Sequence, residues 1–328
     1  MHVSRRTLIA AGIAALTMPS WASAAAASSF TEGKPIKLVV PYTPGGGTDT
    51  VARFIGNKIA LDTKWTIVID NRPGAGGNIG MDAVAKSKPD GLTIGMGQTS
   101  NLAINPALMP KMPFNARDDF APIAIVASLP VVLVVRSDSP FQSLQDVIKA
   151  AKAKPGDLKQ ALAGPGTVGH LAGELLAYQA QFQVLNVPYK GAAPALTDLM
   201  AGSTDFMFST PQSILEMLKG KRLRALAVSS AERLSILPDV PTVEEQGFAG
   251  FEAVDWKALV APAKTPADVI AAMNQATQDV LKRKETVELL EKEGSKPILG
   301  SPEKAKAYIQ AEQVKWAKLI KDANIKFD

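Results

Sequence analysis

Ile36-Lys37-Leu38-Val39-Val40-Pro41-Tyr42-Thr43-Pro44-Gly45-Gly46-Gly47-Thr48-Asp49 decides the fold class of this chain. Residues 38–40 form an apolar, strand-type run that stops at Pro41, and a glycine-rich loop follows. Asp49 or Thr50 then caps a helix expected to begin near Val51, with Val51, Ala52, Ile55 and Ile59 recurring at helical spacing. Strand, glycine loop and helix start in this order set several backbone N–H groups at the positive end of a helix, where an anion is received. Gly45, Gly46 and Gly47 let the backbone approach a guest closely. The competing reading is a tight turn that holds nothing. A P-loop is excluded, because no Lys-Ser or Lys-Thr follows at the required spacing.

Working outward, strand-type runs at 66–69 and 92–96 alternate with helical patterns, the mark of an α/β domain with parallel strands. The middle third repeats this logic. Strands are expected at 131–135, 160–163, 184–187, 205–208 and 223–228, and helices at 168–181, 194–200 and 211–218. Ser143 and Asp146 form a capping box for a further helix. After a strand at 253–260 the pattern becomes helical, opening at Thr265-Pro266-Ala267-Asp268 and again at Ser301-Pro302-Glu303. Those late helices need a sheet made earlier, so the last third is expected to return to the first domain. Two α/β lobes result, 25–129 with 254–328 and 130–253, joined by crossings near 128–130 and 250–256.

Gly164-Pro165-Gly166-Thr167-Val168-Gly169-His170 repeats the cradle design at a helix start, where the Thr167 hydroxyl and the first free N–H groups suit a carboxylate. His170 is either a ligand donor or a helix-packing residue. Asp205, Ser209, Asp255 and Lys257 stand at expected strand ends, where open α/β sheets bind ligands. Trp256 is either a wall of the ligand site or a core contact. Asn71-Arg72-Pro73-Gly74-Ala75-Gly76-Gly77-Asn78-Ile79-Gly80 fails as a dinucleotide fingerprint, because Ile79 stands where a glycine is needed, and reads as a turn into a helix near Asn78.

The chain has 328 residues, net charge +5, no cysteine and only two histidines. The lack of cysteine excludes disulfides, thiolate catalysis and cysteine-bound metals. The charge surplus is no nucleic-acid footprint. Residues 1–24 read as an export signal: Arg5 and Arg6, an apolar stretch at 8–18 too short to span a bilayer, and the small-residue pattern Ala22-Ser23-Ala24. The paired arginines resemble a twin-arginine signal, the alternatives being general secretion or an uncleaved anchor. His2 leaves with the signal, so a histidine-rich metal site is excluded and any Ser-His-Asp triad would have to use His170. G-x-S-x-G is absent.

The two glycine motifs at 40–49 and 71–80 resemble the Bug family, the periplasmic solute-binding proteins of tripartite tricarboxylate transporters. So do Asn105-Pro106-Ala107-Leu108, His170-Leu171-Ala172-Gly173-Glu174, Val187-Pro188-Tyr189-Lys190-Gly191 and Leu237-Pro238-Asp239-Val240-Pro241-Thr242. The set covers essentially the whole mature chain in order. The resemblance implies a two-lobed clamshell of the type II periplasmic-binding-protein fold, with a ligand cleft between two α/β domains. It implies no catalytic residue, cofactor or metal. It also implies a periplasmic monomer that traps a small carboxylated solute and passes it to two integral-membrane permease subunits. Carried over to this chain, one lobe would hold the carboxylate through the loop from Tyr42 to Asp49 (Tyr42, Pro44, Gly45, Gly46, Thr48, Asp49) and through Ser100 and Asn101. The other lobe would offer Gly166, Thr167 and the region from Asp205 to Ser209. Two departures stand out. Phe208-Ser209-Thr210 occupies a place where relatives often carry an amide or acid after the phenylalanine. Asp255-Trp256-Lys257-Ala258 brings charge where the family usually has Ser or Asn, Trp, an aromatic residue and Gly. A hydrolase using Asp49 or Asp255, and a subunit reporting to a membrane sensor, are the rival functions.

Overall fold

The computed structural model describes residues 31–109 and 111–326, so the expected export signal lies outside the described residues. The chain runs through β1 (Ile36–Val40), α1 (Gly47–Thr63), β2 (Ile67–Asn71), α2 (Asn78–Ala85), β3 (Thr93–Gln98), α3 (Asn105–Leu108) and β4 (Phe120–Pro130). It continues through β5 (Val132–Arg136), α4 (Leu144–Ala153), β6 (Lys159–Leu162), α5 (Val168–Ala180), β7 (Leu185–Pro188), α6 (Ala192–Ala201), β8 (Met207–Ser209), α7 (Pro211–Lys219) and β9 (Leu223–Val228). It closes with β10 (Val254–Pro262), α8 (Ala267–Leu281), α9 (Lys284–Lys292), β11 (Lys296–Pro297) and α10 (Pro302–Asp322).

Two sheets anchor two α/β lobes. The first has the order β11-β4-β10-β3-β1-β2, with β2 and β3 parallel to β1 and β10 antiparallel to both β3 and β4. The second has the order β8-β5-β9, and the parallel pair β6-β7 joins it through a bridge between Gln160 and Phe206. Ile36, Leu38 and Val40 of β1 pack with Ile55 and Ile59 of α1 and with Met273 and Val280 of α8. On the opposite face Val39 and Trp256 join a core that includes Trp316 and Leu319 of α10. In the second lobe Val132 and Val134 of β5 pack with Leu196, Leu199 and Ile214.

The first helix differs from its sequence reading. It starts at Gly47, with Gly46 as the extended residue before it, so neither Asp49 nor Thr50 is the cap. Asp49 sits inside the first turn, and its carboxylate folds back to accept the Gly45 N–H at 2.9 Å. Strand β4 was not visible in the sequence at all. It runs between β10 and the two-residue edge strand β11, is largely buried, and its apolar run around Pro122 shows no alternation.

The chain leaves the first sheet at Pro130 and returns to it at Val254, and one buried side chain ties these crossings together. The Ser229 hydroxyl accepts the Val131 N–H at 2.8 Å and donates to the Ala253 carbonyl at 2.6 Å. At the mouth the lobes touch: Gln212 donates to Glu293 at 2.7 Å and lies against Gly47. Gly166 approaches Asn105 and Leu108 so closely that a Cβ there would sit 3.0 Å from Asn105 Oδ1.

Candidate functional site

The first lobe contributes the loop after β1 and the ends of β3 and β10. The Tyr42 hydroxyl shares a hydrogen bond with Ser100 Oγ at 2.9 Å and accepts from Asn101 Nδ2 at 3.0 Å. Asn101 is fully buried, and its Oδ1 accepts the Gln98 N–H at 3.0 Å. This cluster explains Gly77 of the 71–80 motif. A Cβ on Gly77, whose φ is +92°, would lie 2.9 Å from the Tyr42 hydroxyl and 2.7 Å from Asn101 Nδ2. Burial pushes the Tyr42 phenol well up, so its hydroxyl stays protonated. Gln98 Nε2 donates to the Thr48 hydroxyl and to Asp255 Oδ2, the latter at 3.3 Å. Lys257 Nζ lies 3.5 Å from the same Asp255 oxygen. Burial pushes the Asp255 carboxyl up, and the Lys257 ammonium opposes that shift.

The second lobe contributes helix N-termini. Thr167 caps α5, accepting the His170 N–H at 3.3 Å, while Gly166 N donates to His170 Nδ1 at 3.2 Å. The first-turn N–H groups at Val168 and Gly169 have no acceptor within the helix. Ala192 opens α6, and Thr210 precedes α7. At the end of β8 the Ser209 hydroxyl is buried and has no hydrogen-bond partner.

These two walls enclose a cavity of about 200 Å³ lined by Tyr42, Gln98, Ser100 and Asp255 from one side and by residues including Thr167, Val168, Gly169, Ala192, Ser209 and Thr210 from the other. A more polar chamber of about 400 Å³ adjoins it, sharing Gln98, Thr210 and Asp255 and adding Gly45, Gly47, Thr48 and Lys257. The positive ends of α5 and α6 therefore face the cavity, and that of α1 faces the chamber.

The family profile described as "Tripartite tricarboxylate transporter family receptor" matches residues 51–325. The chain belongs to this family. It is 39% identical over 320 residues (97% of this chain, 94% of the relative) to a protein encoded in the tcbD-tcbE intergenic region of Pseudomonas sp.. It is 34% identical to protein BugT of Bordetella pertussis over 89% of this chain and 90% of that protein. Among solved structures it resembles R. palustris Rpa4515 with adipate (TM-score 0.80, 33% identity, 89% of this chain and 98% of that one). It also resembles the periplasmic binding protein BugD (TM-score 0.76, 31% identity, 89% and 98%) and MatC from Rhodopseudomonas palustris with bound malate (TM-score 0.76, 30% identity, 87% and 98%). The chain is thus a two-lobed, extracytoplasmic solute-binding receptor of the Bug type, and not an enzyme.

In this receptor the sequence-selected residues separate into groups. Tyr42, Ser100, Thr167, Ser209 and Asp255 line the cavity, and Gly45 and Thr48 line the polar chamber. Pro44 and Gly46 are exposed and line neither. Asn101 and Asp49 stand one layer behind. Asp49 is a brace: Arg53, the Gly45 N–H and Asn71 all bond its carboxylate and hold its pKa down at about 2. Gly166 lies at the contact between lobes, and His170 is buried beneath it, with burial pushing its pKa down to about 4.

Two residues are corrected. Asp205 staples the far end of the second lobe's sheet: its carboxylate accepts the Lys159 N–H at 2.7 Å, at the start of β6, whereas the cavity lies at that strand's other end. Trp256 is a core residue. It is fully buried on the face of β10 opposite Asp255, donates to Glu312 at 3.0 Å and meets Tyr308 edge to face. Gln98 was missed, although its place at the carboxyl end of a strand was the signal that would have found it.

Proposed function

We propose that this receptor captures a small carboxylate by closing its lobes and delivers it to a membrane permease of two integral subunits. One observation carries the reading: free N–H groups at the starts of α5 and α6 and the unpartnered Ser209 hydroxyl converge on one cavity between the two walls. The adipate and malate bound by two structural relatives support the same chemistry. Tyr42, Ser100, Thr167 and Ser209 are the contacts, between lobes taken as 25–129 with 254–328 and 130–253. The mature, monomeric chain begins after Ala24 in the periplasm. Closure expels water, so donors aimed at a carboxylate act in a lower effective dielectric. The guest shifts the open–closed balance only by the extent to which it prefers the closed form.

Calorimetry on the purified mature chain against a panel of aromatic, mono-, di- and tricarboxylic acids is expected to find a tight binder. A panel without a single binder, from a folded protein, refutes the reading. Deleting the genes of a neighbouring permease pair is expected to abolish uptake of that acid while leaving binding intact.

A further inference from the structure

The second lobe presents hydroxyls, helix N-termini and apolar side chains such as Val168 and Met207 to the cavity, and no charged side chain, but the first lobe presents a carboxylate, that of Asp255. Among the described residues lining the cavity, Asp255 is the only Asp, Glu, Lys, Arg or His. Its partner Lys257 is only 3% exposed in its side chain and has Asp255 as its single salt-bridge partner among the described residues. A buried ammonium of this kind needs a counter-charge, so neutralising Asp255 strands Lys257. The pair thus holds Asp255 as an acceptor. Gln98 and Lys257 both address Oδ2, at 3.3 and 3.5 Å, long for bonds to a carboxylate, and the Thr99 side chain bonds the same carboxylate. A carboxylate with about four lone-pair sites retains acceptor capacity beyond these.

We infer that Asp255 selects, at the site proposed above, a carboxylate that also carries a hydrogen-bond donor, an amine or a hydroxyl, and turns away an acid whose far end is a second carboxylate. The guest's carboxylate goes to the helix N-termini of the second lobe, and its donor completes the acceptor set of Asp255. A second carboxylate placed there meets like charge where water has been excluded. Asp255 stands on the wall that the cavity of about 200 Å³ shares with the polar chamber, so a guest's far end that reaches toward the chamber passes it. The inference rests on the carboxylate reading of the cleft.

Titration calorimetry with acids of one chain length tests it: pentanoate, glutarate, 5-hydroxypentanoate and 5-aminopentanoate. On the wild-type chain at least one donor-bearing acid is expected to bind about tenfold or more tighter than glutarate, because an unmet acceptor in a closed site is costly. In Asp255→Asn that preference is expected to shrink to about threefold or less, with glutarate gaining. Glutarate binding the wild type as well as the donor-bearing acids overturns the inference, as does a preference that survives in Asp255→Asn. Should Asp255→Asn fail to fold, Asp255→Asn with Lys257→Met, which removes the stranded ammonium, takes its place, and the wild-type ranking decides on its own. Failure of all four acids overturns it too. The carboxylate reading falls with it only if the wider acid panel also fails.

Discussion

Ser209 is the residue whose chemistry is least satisfied without a guest. Its hydroxyl is buried at the cavity wall and bonds nothing in the protein. Ser209→Ala is therefore expected to leave the melting temperature of the ligand-free protein unchanged and to weaken acid binding by about tenfold, read by calorimetry. His170 gives the opposite case, a residue of stability and not of binding. Burial lowers its pKa from 6.5 to about 4. Between those values the unfolded chain takes up a proton that the folded chain refuses, so the contribution of His170 is full above about pH 6.5 and is lost as pH falls toward 4. Glu174, 3.8 Å away with its carboxyl pushed up by burial, titrates beside it, so the effect is read as a difference between proteins. Chemical denaturation across that window is expected to show a shallower pH dependence for His170→Asn, with acid affinity at neutral pH unchanged. At this scale, the family resemblance supplied Tyr42, and residue type and strand-end position found Ser209 and Asp255 in the sequence. They did not separate Asp255 from Trp256, because neighbours on a strand point to opposite faces and the covered face is set by helices that come later in the chain.

Helix starts were the most legible elements. The Ser143–Asp146 capping box forms in full, and Ser301 caps the last helix. The start of α1 was misread because its glycines carry no capping side chain, while Asp49, which resembles a cap, is spent on the loop before it. Strand β4 escaped because a strand buried on both faces loses the period that marks a half-buried one. The start of α5 rests directly on β8: a Cβ on Gly169 would fall 2.4 Å from the Phe208 carbonyl oxygen. Gly169→Ala is expected to push that helix off the sheet, costing about 1–3 kcal/mol of stability in denaturant titration. Acid affinity should fall with it, since the same turn supplies the cavity's N–H groups. An unchanged affinity would count against those groups as contacts.

For the whole molecule, alternation followed by a switch to helices was enough to expect two lobes. How the lobes face each other was not legible, because contacts such as Gln212 with Glu293 join residues far apart in sequence through side chains that carry no local signal. That pair bridges the mouth. Gln212→Ala is expected to weaken acid binding by a few-fold, mainly through faster release in stopped-flow measurements, with the ligand-free melting temperature unchanged. A slower release would show that the contact does not favour the shut form. Ser229 has a different consequence. Because one hydroxyl bonds both strands that pass between the halves, sliding one strand past the other would break its bonds, whereas bending the two together would keep them. On the proposed transport reading, a downstream partner would then be offered a single angle, ajar or shut, whichever cargo shuts it. Discrimination among cargoes would then lie in the wall chemistry around the guest, ahead of any docking.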